Sequence, residues 1–327
     1  MTSLQMSPEF NLIQQYFTRP AHHTNLGVGD DAALISLSSG MELAISADML
    51  VAGTHFFPDA DAYSIGWKSL AVNVSDMAAM GAKPKWATLA IALPEINHAW
   101  LAEFSRGLFA CAEAFHIDLI GGDTTRGPLT ISVQIMGEVP AGQAIRRSGA
   151  KIDDDIWVSG NLGSAAAALA YLQNKVVIAD IDLQISLAAL HAPQPRVALG
   201  LALRTIANSC IDISDGLLAD LGHILEVSHL NARINLAWIP CLDVIHHHLQ
   251  QPAFQQYLLA GGDDYELCFT TAKSNREKIV QLSHTLGLPL TRIGETYQQS
   301  TEMQAQIIVE YQQQTIHIAK KGFDHFD

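Results

Sequence analysis

Short apolar runs with strand character alternate with longer stretches of helical spacing, and this alternation is the strongest limit on the fold. Met41–Ala47, Trp86–Leu93 and Leu129–Val139 read as strands, the last through the alternation of Leu129, Ile131, Val133 and Ile135. Asp61–Gly81 and His98–Phe115 carry helical apolar spacing, and the first stops at Gly81 ahead of Pro84. Pro140-Ala141-Gly142 interrupts the pattern. A second series opens with a strand at Asp155–Ser159, the turn Gly160-Asn161-Leu162-Gly163 and an alanine-rich helix from Ser164. It continues with a helix over Arg196–Asn208 behind Pro193-Gln194-Pro195, a strand at Cys210–Ile213 and a helix from about Gly216. Strand signals at Leu267–Thr271, Ile307–Glu310 and Thr315–Ile318 and a helix around Asn275–Leu286 complete it. The alternation predicts an α/β (α+β) chain with mixed sheets, divided into residues 1–140 and 141–327. With 327 residues, 49% of them hydrophobic, the chain can build cores of that size without covalent staples.

Aspartates gather where these runs end. Gly27-Val28-Gly29-Asp30-Asp31 precedes the apolar Ala32–Ile35. Ser46-Ala47-Asp48 is predicted to end the first strand, with Gly53-Thr54-His55 close behind. Asp76 lies on the amphipathic stretch after Trp67 and Lys68, and Gly121-Gly122-Asp123-Thr124-Thr125-Arg126 closes an apolar run. Asp212-Ile213-Ser214-Asp215-Gly216 interrupts a strand-to-helix junction, and Gly261-Gly262-Asp263-Asp264 repeats the theme. Two readings fit. Asp beside Gly is the ordinary composition of turns and helix caps. Carboxylates at strand ends beside glycines also suit Mg²⁺, a hard cation that shares carboxylate, water and phosphate oxygens, in an enzyme that handles an anionic ligand. The residue pattern alone leaves both open.

Other chemistries lack their signatures. No GxxxxGK(S/T) loop, no GxGxxG after a strand and no HRD or DFG set occurs, and Ser214 is not in a GxSxG elbow. The net charge of −14 is diffuse and argues against a nucleic-acid backbone as partner. Cys111, Cys210, Cys241 and Cys268 are far apart in sequence and read as buried thiols in a reducing compartment, not as zinc ligands or disulfides. The run His246-His247-His248 lies in a segment of helical character that turns its members to different faces, so no metal site is assigned to it. Met1–Asn11 shows no secretory pattern and no apolar stretch reaches about 18 residues, so a soluble, cytoplasmic protein is expected, with no membrane partner.

The segments Gly27–Ile35, Ser46–Phe56, Ile65–Pro84, Gly121–Gly127, Ile211–Leu218 and Gly261–Thr270 resemble, in order and spacing, the motifs of the thiamine-monophosphate kinases. These enzymes belong to the ATP-binding superfamily of aminoimidazole ribonucleotide synthetase and selenophosphate synthetase. The similarity runs from Asn25 to the closing Gly322-Phe323-Asp324-His325-Phe326, and the most specific parts are Asp48 to Phe56, Asp212 to Gly216 and Asp264-Tyr265-Glu266-Leu267.

The resemblance implies a two-domain aminoimidazole ribonucleotide synthetase-like fold, a homodimer formed through the N-terminal domains and an active site between the halves. It implies direct in-line transfer of the ATP γ-phosphate to thiamine monophosphate, giving thiamine diphosphate, with several Mg²⁺ ions. By motif, Asp30, Ser46, Asp48, Asp76, Asp123, Asp212 and Asp215 stand at magnesium positions. Gly122, Asp123, Arg147 and Ser214 stand at ATP contacts, and His55, Asp263 and Phe323 on the thiamine-phosphate side. There are two departures from the family pattern. Ala47 replaces a frequent hydroxyl residue, so only its backbone carbonyl could serve a metal, and Asp263 replaces a common Glu with one methylene less reach. Selenophosphate synthetase is disfavoured because no cysteine precedes Cys111. A non-catalytic Mg-nucleotide binder would not need His55 and Phe323.

Overall fold

The structure, a computed structural model, describes residues 7–299, 305–318, 321–324 and 326; His325 of the closing motif and the first six residues of the N-terminal segment lie outside these. Two compact units result: one contains the described residues up to Met77 and Ala82–Gly142, the other Ala78–Gly81 and the described residues from Gln143 onward.

The first unit contains α1 (Pro8–Leu12), β1 (Met41–Val51), α2 (Ala62–Ala79), β2 (Lys83–Leu93), α3 (His98–Phe115), β3 (Asp118–Arg126) and β4 (Thr130–Pro140), with the end of α2 counted in the second. Its sheet has the order β1-β4-β2-β3. Strand β4 runs antiparallel to β1 and β2, and β2 runs parallel to β3, the arrangement that a crossover through α3 requires. Helix α3 buries Leu101, Phe104, Leu108 and Cys111, a stripe at helical spacing. Asn97 caps its start by accepting from the Trp100 N–H at 3.1 Å.

The second unit contains β5 (Asp155–Ser159), α4 (Ser164–Leu172), α5 (Asp180–His191), α6 (Val197–Leu203), β6 (Ser209–Asp212), α7 (Leu217–Ser228), β7 (Leu230–Asn235), α8 (Asp243–His246), α9 (Pro252–Ala260), β8 (Leu267–Thr271), α10 (Arg276–Leu286), β9 (Leu290–Gln298), β10 (Ile307–Tyr311) and β11 (Gln314–Ile316). The sheet order is β11-β10-β7-β9-β5-β8-β6. Among the described residues only the β10–β7 pair is parallel. Both faces of its centre are covered. Ile156, Val158 and Ile211 pack in one core with Leu217, Leu221 and Ile224 of α7. Trp157, Cys210 and Phe269 pack in another with Leu199, Leu203 and Ile279. Strands β5, β6 and β8 are buried throughout, which is why their apolar residues stand next to one another without alternation.

Several expectations need correction. Strand β1 continues four residues past Ala47, so Asp48 lies within it and not at its end. Its whole length is held in register by β4, from Met41 opposite Pro140 to Val51 opposite Thr130, and a strand at the edge of a sheet tolerates polar residues. Gly121-Gly122-Asp123 likewise lies inside β3 and does not follow it. The helix expected over Arg196–Asn208 is confined to Val197–Leu203.

Candidate active site

In the first unit α2 lies against the face of β1 that carries Ser46 and Asp48. The Ser46 hydroxyl donates to Asp76 Oδ2 at 2.6 Å. The Asp48 N–H donates to Asn73 Oδ1 at 3.0 Å, and the Asn73 amide group in turn donates to the Ser69 carbonyl. Ser46 and Asp48 share a face because side chains two apart on a strand do. Ala47, between them, is exposed. Behind the strand end, His55 Nδ1 accepts from the Val51 N–H at 3.0 Å, so the proton of the neutral ring sits on Nε2.

Asp123 stands elsewhere on the same sheet. Its register row is Met49, Ser132, Ala90 and Asp123, one residue out of step with the row of Asp48, Val133, Leu89 and Gly122. It is therefore exposed on the face opposite Asp48. Gly122 has φ +149°, and a Cβ there would collide with the Leu89 carbonyl, so the adjoining strand admits only glycine at this position.

Asp30 is exposed on a segment that crosses the Asp123 face, where Ala33 and Ile35 pack on Trp86, Ile120 and Met136. Two carboxylates tie this segment down. Asp118 accepts from the His22 and His23 amides and from the Thr24 hydroxyl, at 2.6 to 2.9 Å. Glu138 accepts from the Ser38 N–H at 2.7 Å and from its hydroxyl at 3.0 Å, and pairs with Lys85 at 2.6 Å. Burial pushes the Asp118 carboxyl up, but the His23 and His22 amides and Thr24 outweigh it and hold it below the ordinary range. Glu138 is held low in the same way, burial being outweighed by Lys85 and Ser38.

In the second unit three segments distant in sequence meet. The Asp263 N–H donates to the Ser214 carbonyl at 2.8 Å, and the Tyr265 N–H to the Ile213 carbonyl at 2.8 Å. The Phe323 N–H donates to the Asp215 carbonyl at 3.0 Å, and the residue is 47% exposed. Ser214, Asp215, Asp263 and Phe323 are thereby brought together, with Asp212 at the end of β6 leading into the group. Asp263 and Tyr265 adopt left-handed backbone at φ 69° and 49°, and the Tyr265 hydroxyl donates to Asp263 Oδ1 at 3.1 Å. Such strain persists only where the surroundings enforce it, and here they do. Gly262 leaves no room for a Cβ against the Ser214 carbonyl. Asp264 turns inward to accept from the Gly163 N–H at 2.8 Å at the head of α4, and burial pushes its carboxyl well above the ordinary range. Glu266 takes Arg196 and the Ser159 hydroxyl. Arg147 is exposed near the opposite end of β6, where the neighbouring Arg146 carbonyl accepts from the Cys210 N–H.

Asp220, which no sequence motif marked, sits beneath this loop. Its Oδ2 accepts from the amides of Ser214, Asp215 and Gly216. Burial, and then the charges of Asp212 and Asp215, push its carboxyl up to about 8. Asp118 and Glu138 were also unmarked, their only sequence signal being a polar residue within an apolar run, while Asn73 and Glu266 lay in motif segments without a role assigned to them.

Among the described residues, no group of three or more His, Cys, Asp or Glu side chains could hold a metal ion by itself. The oxygen-only sets, Ser46 with Asp76 and Asp48 on one face and Asp212 with Asp215 on one loop, fit a cation that takes one or two carboxylates. Mg²⁺ is such a cation, and fills the rest of its shell with water and substrate phosphate.

Comparison with known proteins agrees with the fold. Residues 29–139 match the N-terminal domain model of AIR synthase related proteins and residues 151–304 the C-terminal one. The chain is 46% identical over 323 residues to the thiamine-monophosphate kinase of Escherichia coli K12, covering 97% of this chain and 98% of that protein. The crystal structure of thiamine-monophosphate kinase from Stenotrophomonas maltophilia K279a superposes with a TM-score of 0.81 at 45% identity, over 90% of this chain and 92% of that one. A ThiL structure complexed with AMPPCP and TMP superposes with a TM-score of 0.75 at 28% identity, over 91% and 92%.

Proposed function

The chain belongs to the AIR synthase related proteins and, within them, to the thiamine-monophosphate kinases, and we propose that it transfers the γ-phosphate of ATP to thiamine monophosphate, giving thiamine diphosphate and ADP. The observation that carries this reading is the meeting of Ser214, Asp215, Asp263 and Phe323 in one place, in a chain nearly half identical to enzymes of that name over almost its full length.

The residues divide by role. Asp30, Ser46, Asp48, Asp76, Asp123, Asp212 and Asp215 would hold Mg²⁺, with Ala47 able to offer only its carbonyl. Their distribution as separate pairs and single carboxylates suits several ions better than one. Bound Mg²⁺ supplies charge neutralisation between the phosphates of donor and acceptor. Gly122, Arg147 and Ser214 are assigned to ATP by the family resemblance alone, Arg147 being exposed near the opposite end of β6 from Ser214. On the acceptor side, the ring of the exposed Phe323 suits stacking on a heteroaromatic cation, His55 offers Nε2–H as a donor, and Tyr265 orients Asp263. The acceptor phosphate is already an anionic nucleophile, so no side chain need remove a proton from it. The four free thiols and the use of ATP fit a cytoplasmic enzyme.

Purified protein supplied with ATP and Mg²⁺ is expected to form thiamine diphosphate from thiamine monophosphate and not from free thiamine. ATP turnover that requires a different acceptor would overturn the assignment.

A further inference from the structure

Asp220 lies in the first turn of α7 and is 3% exposed. Its Oδ2 accepts three successive backbone N–H groups, those of Ser214, Asp215 and Gly216, each at 3.1 Å. Successive amides converging on one point form the kind of concavity by which loops bind anions. Here the chain fills that concavity from within. The three amides therefore do not face a bound phosphate, and ligand recognition at this loop falls to the side chains of Asp212, Ser214 and Asp215.

The same contacts fix the backbone of the loop. Its carbonyls are the anchor points of the two acceptor-side segments: Ser214 receives the Asp263 N–H and Asp215 receives the Phe323 N–H. A shift in the loop would move Asp263 and Phe323 with it. Displacements of about 1 Å at a reacting centre are enough to cost on the order of a hundredfold in rate.

We propose that Asp220 is a positioning residue for phosphoryl transfer, its carboxyl oxygen locking residues 214–216 and, through the Ser214 and Asp215 carbonyls, setting Asp263 and Phe323 against the substrate. The proposal rests on the kinase reading. It requires an acceptor oxygen at the Oδ2 position, which asparagine can supply and alanine cannot.

The test compares the full chain with Asp220→Asn and Asp220→Ala, measuring kcat, KM for thiamine monophosphate, thermal midpoint and amide hydrogen exchange at residues 214–216. Asp220→Asn is expected to keep kcat and KM within about threefold and the three amides protected. Asp220→Ala is expected to lower kcat per folded molecule and raise KM, each by roughly tenfold or more, while the three amides exchange freely. Wild-type kcat and KM per folded molecule in Asp220→Ala would overturn the proposal, since a merely structural residue changes only the folded fraction. So would an Asn variant as impaired as the Ala variant. If Asp220→Ala does not fold, the wild type and Asp220→Asn still decide: fast exchange of the three amides in the wild type, or loss of activity in Asp220→Asn, contradicts it. Failure of the wild type to make thiamine diphosphate would strike the kinase reading alone, because exchange at the three amides is read without turnover.

Discussion

Asp48 illustrates how much a single carboxylate can carry when its backbone is already committed. Its N–H is held by Asn73, and Ser46 on the same face is hydrogen-bonded to Asp76, so the group is preorganised by α2. Asp48→Asn removes the charge with little change in volume. Turnover is expected to fall at least about a hundredfold, about 2.7 kcal/mol of barrier, while the thermal midpoint moves by only a few degrees. Steady-state kinetics beside a melting curve check this, and full activity in the variant would remove Asp48 from the metal role. The clusters of Gly and Asp were legible in the sequence, and the roles of their residues came only from the family resemblance. Which of them share a face was not legible, since that depends on register: β3 carries Asp123 one residue out of step with Asp48, and nothing local in Gly121–Arg126 encodes it. Asp220 was hidden for a related reason, its partners being the backbone amides of another motif.

At the scale of elements, α3 was plain from its helical spacing and β5 and β8 from their adjacent apolar residues, and all three fall on the residues predicted. Strands β7 and β9 were not plain, because charged and polar residues interrupt Leu230–Asn235 and Leu290–Gln298 and it is pairing, of β7 with β10 and β9 and of β9 with β5, that makes them strands. The segment that carries Asp30 lies outside the named helices and strands and is held by the Leu26–Leu34 bridge, by Ala33 and Ile35 packed on the sheet, and by Asp118 and Glu138. Both carboxyls are held below their ordinary values, so their stabilisation is fully present above the unfolded-state pKa, near 4, and is lost as pH falls through the still lower native values. Proteolysis between residues 19 and 38 should accordingly increase only below about pH 4 in the wild type. Asp118→Ala, which leaves two amides and a hydroxyl without their acceptor, should increase it already at pH 7, at a cost of roughly 1–3 kcal/mol. Identical digestion of wild type and variant at pH 7 would contradict this.

For the whole molecule, β1 matters again. It lies at one end of its sheet and exposes Leu43, Ile45 and Met49 at 37%, 55% and 57%. An apolar row on an edge strand is normally covered, and a second copy of this chain is the proposed cover. Sedimentation equilibrium should return a dimer, and Ile45→Glu a monomer; a wild-type monomer at micromolar concentration would end that proposal. No helix among the described residues is long and apolar enough to cross a membrane.

On the proposed reading, the aspartates serve phosphoryl transfer as holders of cations and not as nucleophiles. A carboxylate could instead take the phosphoryl group and pass it on, which would need two displacements at phosphorus. ATP carrying a γ-phosphate made chiral with oxygen isotopes separates the two. One direct transfer to thiamine monophosphate inverts the configuration, and inversion is the predicted result; retention would show an aspartyl-phosphate intermediate and contradict the account.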